Sequence, residues 1–335
     1  MTALPGKAMY EYLTIRLVWL HRSVIQGLRD VLLASSPVIR SNVCRCREFH
    51  DTRALIRTAA PLLGLLLALT SCAHEPNARD YAQRRAVEQA GMQRIEIQTD
   101  VFPLVSYARM TADAAVLRVY IEGDGHAWRR QDEPSDDPTP WNPMGLVLAT
   151  LDPSTSVAYL ARPCQYLARP CQYIAPGSDP HCAVEYWTTR RNAEPVIESA
   201  NAAIDRLMAA GGARTIELVG FSGGGAVAAR RYDVANLRTV AANLDTAAWT
   251  ERNGTTPLFG SLNPADFANS LDKLPQLHFV GVEDNIVEMP ILRAYRDRFA
   301  KADCVAVSAV PGVDHLNGWT DVWPALLGRS LRCGR

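Results

Sequence analysis

From residue 93 onward, short apolar runs alternate with longer stretches whose apolar positions recur at helical spacing. Residues 94–99 and 102–109 alternate apolar and polar positions around Asp100, which predicts an antiparallel hairpin. The pattern then changes. Residues 115–121, 156–159, 215–219, 239–243, 277–282 and 304–310 are compact apolar segments of the kind that form buried parallel strands. Between them, residues 194–210, 224–232, 292–302 and 322–331 read as helices. The expectation is an α/β fold with a mostly parallel central sheet, an antiparallel N-terminal hairpin and helices on both faces.

The front of the chain departs from this pattern. Residues 59–70 form an apolar stretch of twelve residues behind Arg53 and Arg57, too short to span a bilayer, which takes roughly 20. It has the length of a signal-peptide core. The stretch ends Leu69-Thr70-Ser71-Cys72, which resembles the lipobox of bacterial lipoproteins, and the resemblance implies acylation of Cys72. Residues 1–72 are therefore expected to be an extension and signal peptide, residues 73–92 a tether, and residues 93–335 one domain. About 50 residues before the apolar core is long for a leader. No Met lies between Met9 and Met92, so a shorter product would start on another codon, such as one at Val43 or Leu55. The pattern Leu17, Leu20, Val24, Leu28 alternatively fits an amphipathic helix.

Charge supports the division. Residues 1–72 hold nine Arg and Lys against four Asp and Glu, within a chain that balances 35 against 35. With 48% apolar and 21% charged residues, the composition is that of a folded protein. The absence of a basic excess argues against nucleic acid as a partner.

A perfect tandem repeat interrupts the α/β pattern: Tyr159–Gln165 reads Tyr-Leu-Ala-Arg-Pro-Cys-Gln, and residues 166–172 repeat it. A seven-residue unit is too short for a solenoid and reads as a duplication. An odd insertion reverses the face of every following strand residue, so one copy must leave the strand. The repeat also makes the cysteine count behind Cys72 odd: Cys164, Cys171, Cys182, Cys304 and Cys333. In an exported protein, Cys182 is expected to pair with Cys171 or Cys164, and Cys304 with Cys333. The C-x₂-C and H-E-x-x-H spacings of zinc sites are absent.

The segment carrying the strongest chemical signal runs Val219-Gly220-Phe221-Ser222-Gly223-Gly224-Gly225-Ala226, a G-x-S-x-G turn between an apolar strand and a small-residue helix. Such a turn exposes the serine hydroxyl at a strand end. The N–H of Gly223 then faces the same point as the first candidate oxyanion donor. A phosphate-binding loop would close with Lys-Ser or Lys-Thr, whereas Ala226 and Val227 follow here. A nucleophilic serine needs a base and an orienting carboxylate. Two later strands end in candidates: Asp284 in Gly281-Val282-Glu283-Asp284-Asn285-Ile286-Val287, and His315 in Gly312-Val313-Asp314-His315. Glu283 and Asp245 are rival acids, whereas His278 lies inside an apolar strand and His126 and His181 come too early in the chain.

With these residues in this order, the sequence resembles the α/β-hydrolase family, whose acid often lies in a G-x-x-D-x-x-V loop and whose histidine follows a G-x-x-H or D-H turn. The resemblance implies a Ser222–His315–Asp284 triad and a second oxyanion donor in the loop after the third strand. That loop is Glu122-Gly123-Asp124-Gly125, with Glu122 where the family usually has His, and the N–H of Asp124 is the donor by position. A carboxylate there would repel an oxyanion unless paired, for which Arg129 and Arg130 are the nearest candidates in sequence.

The implied function is hydrolysis of a carboxylic ester through an acyl-enzyme. The alternatives are a peptidase or thioesterase on the same fold, or a membrane-anchored binding scaffold. The substrate is expected to be a small molecule or acyl chain, with no cofactor. Trp141, Trp249, Phe259 and Leu262 are candidates for apolar binding surface. The lipobox implies a bacterial envelope location, and Ala73 after Cys72 favours the outer membrane over the inner.

Overall fold

In the computed structural model of the chain, the structure describes residues 78–334, apart from 113, 131 and 167–181. Eight strands form one sheet in the order β1-β2-β6-β3-β7-β8-β9-β10. They are β1 (Gln93–Ile97), β2 (Leu104–Arg109), β3 (Val116–Ile121), β6 (Val157–Leu160), β7 (Thr215–Phe221), β8 (Asn236–Val240), β9 (Gln276–Gly281) and β10 (Val305–Val310). A separate small ribbon joins β4 (Trp128–Arg130) to β5 (Glu133–Pro134).

The hairpin expected from the alternating segments is present, with Gln93 opposite Ala108 and Ile97 opposite Leu104. Strand β2 also runs antiparallel to β6, and every pairing from β6 through β10 is parallel. The parallel strands need crossovers, and helices supply them on both faces. On one face α3 (Glu194–Gly211) and α6 (Met289–Arg296) pack with Leu117, Val119, Ile121, Ile216 and Leu218. On the other, α1 (Ala78–Gln89), α2 (Met144–Thr150) and α7 (Trp319–Leu327) cover Tyr120, Tyr159, Val219 and Phe279. The split follows the two-residue period of β3, whose odd-numbered residues meet α3 while Tyr120 meets Trp323.

Several boundaries move. Strand β8 begins three residues before the expected segment and stops at Val240, because Ala241 takes a left-handed conformation (φ 49°). The helix after Ser222, α4, is only Gly223–Ala228. Beyond it the backbone tightens to i→i+3 bonds, from Arg230 N to Val227 O and from Arg231 N to Ala228 O. Helix α6 starts earlier than its apolar pattern because Pro290 is suited to the first turn. Helix α7 starts at Trp319, whose side chain is fully buried. Part of the segment expected as a tether is helical: α1 occupies residues 78–89, and Val87 and Met92 join the second core.

The first copy of the repeat supplies the end of β6 and then turns away from the sheet after Leu160; residues 167–181 lie outside the described residues. Of the two partners left open for Cys182, the disulfide forms with Cys164. Cys304 pairs with Cys333 as expected. Cys72, Cys171 and His181 lie outside the described residues. Among the described residues, no helix is long and apolar enough to cross a membrane and no cluster of metal-ligating side chains occurs.

Candidate active site

Strand β7 delivers Ser222 to the end of the sheet in a conformation that serine rarely adopts, φ 47° and ψ −123°. The surroundings hold it there: Ser222 N donates to Val240 O at 3.0 Å, and Gly225 N donates to Ser222 O at 3.0 Å. Strand and helix cross so closely that a methyl on Gly220 would overlap the backbone of Gly225. This is the steric reason for the glycines on either side of the serine.

The two later loops bring their residues to the same place. His315 Nε2 lies 3.1 Å from Ser222 Oγ, and His315 Nδ1 lies 2.9 Å from Asp284 Oδ2. Asp284 is buried, and its Oδ1 accepts from the N–H groups of Ile286 (2.8 Å) and Val287 (2.9 Å), which fixes the carboxylate toward the ring. With a proton on Nδ1 held by Asp284, Nε2 accepts from the serine hydroxyl. Trp319 Nε1 donates to the carbonyls of Asp314 (2.9 Å) and His315 (3.3 Å), anchoring the histidine turn to the start of α7.

The rival residues are engaged elsewhere. Glu283 accepts from the N–H groups of Gly312 (3.2 Å) and Val313 (2.8 Å), so it braces the histidine loop. Asp245 caps α5 (Thr246–Arg252) through Ala248 N and accepts from Asn263 and Arg298. Asp314 accepts from the backbone of Leu316 and Asn317. His278 is a core residue, bonded to the Thr239 hydroxyl, and burial pushes its imidazole down to about 3. His126 stacks on Trp141 at 4.0 Å.

The chain has the α/β-hydrolase fold. The strand order, the single antiparallel second strand in the main run and a serine elbow after the fifth strand of the sheet decide it. No family model and no curated protein matches the chain. Solved structures similar to it include an α/β serine hydrolase homologue from Coxiella burnetii, at 16% identity over 70% of this chain and 93% of that one, with a TM-score of 0.45. An esterase of Pyrococcus furiosus is similar at 14% identity over 72% and 89%, with a TM-score of 0.48. A bacterial membrane phospholipase A described as a virulence factor is similar at 14% identity over 81% and 98%, with a TM-score of 0.47.

In this α/β-hydrolase fold the loop after β3 lies against the elbow. A methyl on Gly123 would come within 3.1 Å of Ser222 Cβ, and one on Gly223 would overlap the Asp124 carboxylate. The N–H groups of Asp124 and Gly223 donate to no acceptor among the described residues. The expected partners of Asp124 are wrong. Arg129 pairs with Asp136 and Glu133, and Arg130 with Glu133, all on the exposed β4–β5 ribbon. The carboxylate of Asp124 is instead held by Arg191 at 2.7 Å and Arg162 at 3.2 Å. Burial alone would raise its pKa, but these two guanidiniums hold it below the ordinary carboxylate value.

Glu122, in place of the family's usual histidine, is buried and turned the other way. It accepts from the N–H groups of Gly123 (2.9 Å), Gly145 (3.2 Å) and Leu146 (3.4 Å), so it joins the loop after β3 to the start of α2. Burial pushes its carboxyl up to about 7, against the pull of those donors. Of the candidate apolar surface, Trp141 and Phe259 are exposed, Leu262 packs on the core, and Trp249 Nε1 donates to Ile286 O beside the acid loop. Sequence reading missed Arg162 and Arg191. Arg162 carries the signal of lying in the repeat, whereas nothing local marks Arg191.

Proposed function

We propose that this protein is a serine hydrolase that cleaves a carboxylic ester or closely related acyl bond through an acyl-enzyme. One observation carries the reading: Ser222 Oγ, His315 Nε2, His315 Nδ1 and Asp284 Oδ2 form an unbroken line of contacts at the ends of three strands. In the proposed reaction His315 takes the Ser222 proton as the oxygen attacks the carbonyl, and Asp284 stabilises the imidazolium. The N–H groups of Gly223 and Asp124 receive the oxyanion. His315 then protonates the departing alkoxide, and the same base activates the water that releases the acid.

Fluorophosphonate labelling of the protein, followed by a p-nitrophenyl ester series of increasing acyl length, tests the reading. Labelling and turnover are expected in the native sequence and are expected to vanish in Ser222→Ala. A folded protein that neither labels nor turns over any ester of the series would favour the binding-scaffold alternative.

We further propose that the chain is lipid-anchored through Cys72 at a bacterial envelope, on the outer membrane. The support is the twelve-residue apolar core and the Leu-Thr-Ser-Cys ending. Radiolabelled palmitate incorporated by the expressed chain and lost in Cys72→Ala is the expected result; equal incorporation by both would refute it.

A further inference from the structure

A carboxylate beside an oxyanion hole opposes catalysis by its charge, and Asp124 stands there: its side chain lies over the Cα of Gly223, next to the nucleophile. Both of its oxygens are occupied. Oδ1 accepts from Arg162 Nη1 at 3.2 Å and Oδ2 from Arg191 Nη1 at 2.7 Å. The two guanidiniums are themselves buried and fixed. Arg162 Nη2 donates to the Arg191 carbonyl and to Asn192 Oδ1 (3.2 Å), and Arg191 Nε donates to Thr188 O (2.6 Å). Two cations therefore surround one anion.

The same segment orients the peptide that bears the donor. Gln165 Nε2 donates to Gly123 O at 3.1 Å, and Gln165 Oε1 accepts from Arg162 N at 3.1 Å. In a trans peptide the Gly123 carbonyl and the Asp124 N–H point in opposite directions. Holding the carbonyl on Gln165 thus turns the Asp124 N–H away from it, while Gly123 rests against Ser222. The disulfide from Cys164 to Cys182 ties down the residue between Pro163 and Gln165.

We propose that Arg162 and Arg191 are positioning residues of the oxyanion hole, acting through Asp124: they fix the Asp124 carboxylate between two guanidiniums, so that its charge no longer opposes the oxyanion. The proposal rests on the triad reading above. It distinguishes this site from one in which the loop is held by packing alone, because the charge of the cluster then matters to the chemical step.

A charge ladder tests it, with p-nitrophenyl ester turnover as the readout and unfolding midpoint as the check on folding. Arg191→Gln brings the cluster to neutrality and is expected to lower kcat about 10-fold, with KM within about 3-fold, since an oxyanion interaction acts in the transition state. Arg162→Gln added to it leaves Asp124 uncompensated, and kcat is expected to fall about 100-fold or more. Adding Asp124→Asn to that double variant removes the repulsion and is expected to recover about 10-fold in kcat. If the third substitution recovers nothing, or Arg191→Gln turns over like the native protein, the proposal is overturned. Should the double variant not fold, Arg191→Lys decides: it keeps the charge and must retain clearly more kcat than Arg191→Gln, equal values refuting the charge role. Absence of turnover in the native protein removes the triad reading and this proposal together, whereas native turnover with an unaffected Arg191→Gln removes this proposal alone.

Discussion

Strand β3 carries a half-buried arginine near its start and leads into a half-buried aspartate beyond its end, and the two are surrounded in opposite ways. At the start, two carboxylates share one guanidinium: Arg118 lies 2.8 Å from Asp152 and 2.6 Å from Glu217. At the far end, two guanidiniums share the carboxylate of Asp124. The first network is closed by neutral partners and, behind Asn236, by a second cation, Arg238. Tyr120 and Ser154 hydroxyls reach Asp152 and Arg118, and Asn236 Nδ2 donates to Glu217. Nothing in it touches the triad. The second stands against the elbow that carries Ser222, with two guanidiniums on one carboxylate.

On the reading proposed above, the same pair of residue types serves stability or chemistry according to what lies beside it. A buried pair adds little over a well-packed apolar substitute, yet removing one member of it is costly because the other stays behind uncompensated. In the Arg118 network that cost is a folding cost. In the Asp124 cluster the uncompensated charge also lies beside Ser222, so on the proposed reading the cost divides between stability and rate.

The contrast breaks most sharply at Arg118. Arg118→Met removes the one guanidinium that Asp152 and Glu217 both contact, and a loss of about 3–5 kcal/mol is expected in urea unfolding. The kcat of the folded fraction is expected to stay within about 2-fold, since no contact leads from Arg118 to Ser222. A variant of undiminished stability with a collapsed kcat would place Arg118 in the chemical machinery and erase the distinction between the two ends.

A smaller effect sharpens the comparison within the loop after β3, where carboxylates two residues apart shift oppositely. Glu122 has only neutral donors, three backbone N–H groups and the Tyr159 hydroxyl, and rises to about 7, whereas Asp124 has two guanidiniums and falls. Because Glu122 is raised above its ordinary 4.5, the folded state binds a proton more tightly than the unfolded chain over the interval from about 4.5 to 7. Its contribution is therefore fully present below about pH 4.5, is lost as pH rises toward 7, and changes no further above that. Measured against Glu122→Gln, the native protein is expected to lose up to about 3 kcal/mol of relative stability between pH 4.5 and 7.5. A stability difference that does not vary with pH would show that Glu122 keeps one protonation state throughout. The sign is opposite for Asp124, whose contribution is present above its ordinary pKa and lost as pH falls.

Much of this architecture was legible without coordinates, for identifiable reasons. Strand and helix periodicities come from burial on a sheet with two covered faces, so the hairpin, β3, β7, β9 and β10 were placed to within about two residues. Ser222, Asp284 and His315 were legible because each sits at a strand end inside a short loop whose glycines have a steric reason. The end of β8 was not, since it depends on Ala241 adopting a left-handed backbone that no local residue preference foretells. Nor was the partner of Cys182, because two identical copies of the repeat offered the same cysteine.

The division between chain and fold runs along the same line. The sequence by itself determined the alternation of elements, the strained elbow and the placing of Ser222, Asp284 and His315 at successive strand ends, because each depends on residues adjacent or nearly so in the chain. Only the tertiary structure decided which charges meet. Arg162 and Arg191 reach Asp124 across 38 and 67 residues, Glu122 caps a helix 23 residues on, and Arg118 finds Glu217 across 99. An ionic contact at such range leaves no periodic trace in the chain, since a long guanidinium side chain can point wherever the packing of its neighbours allows.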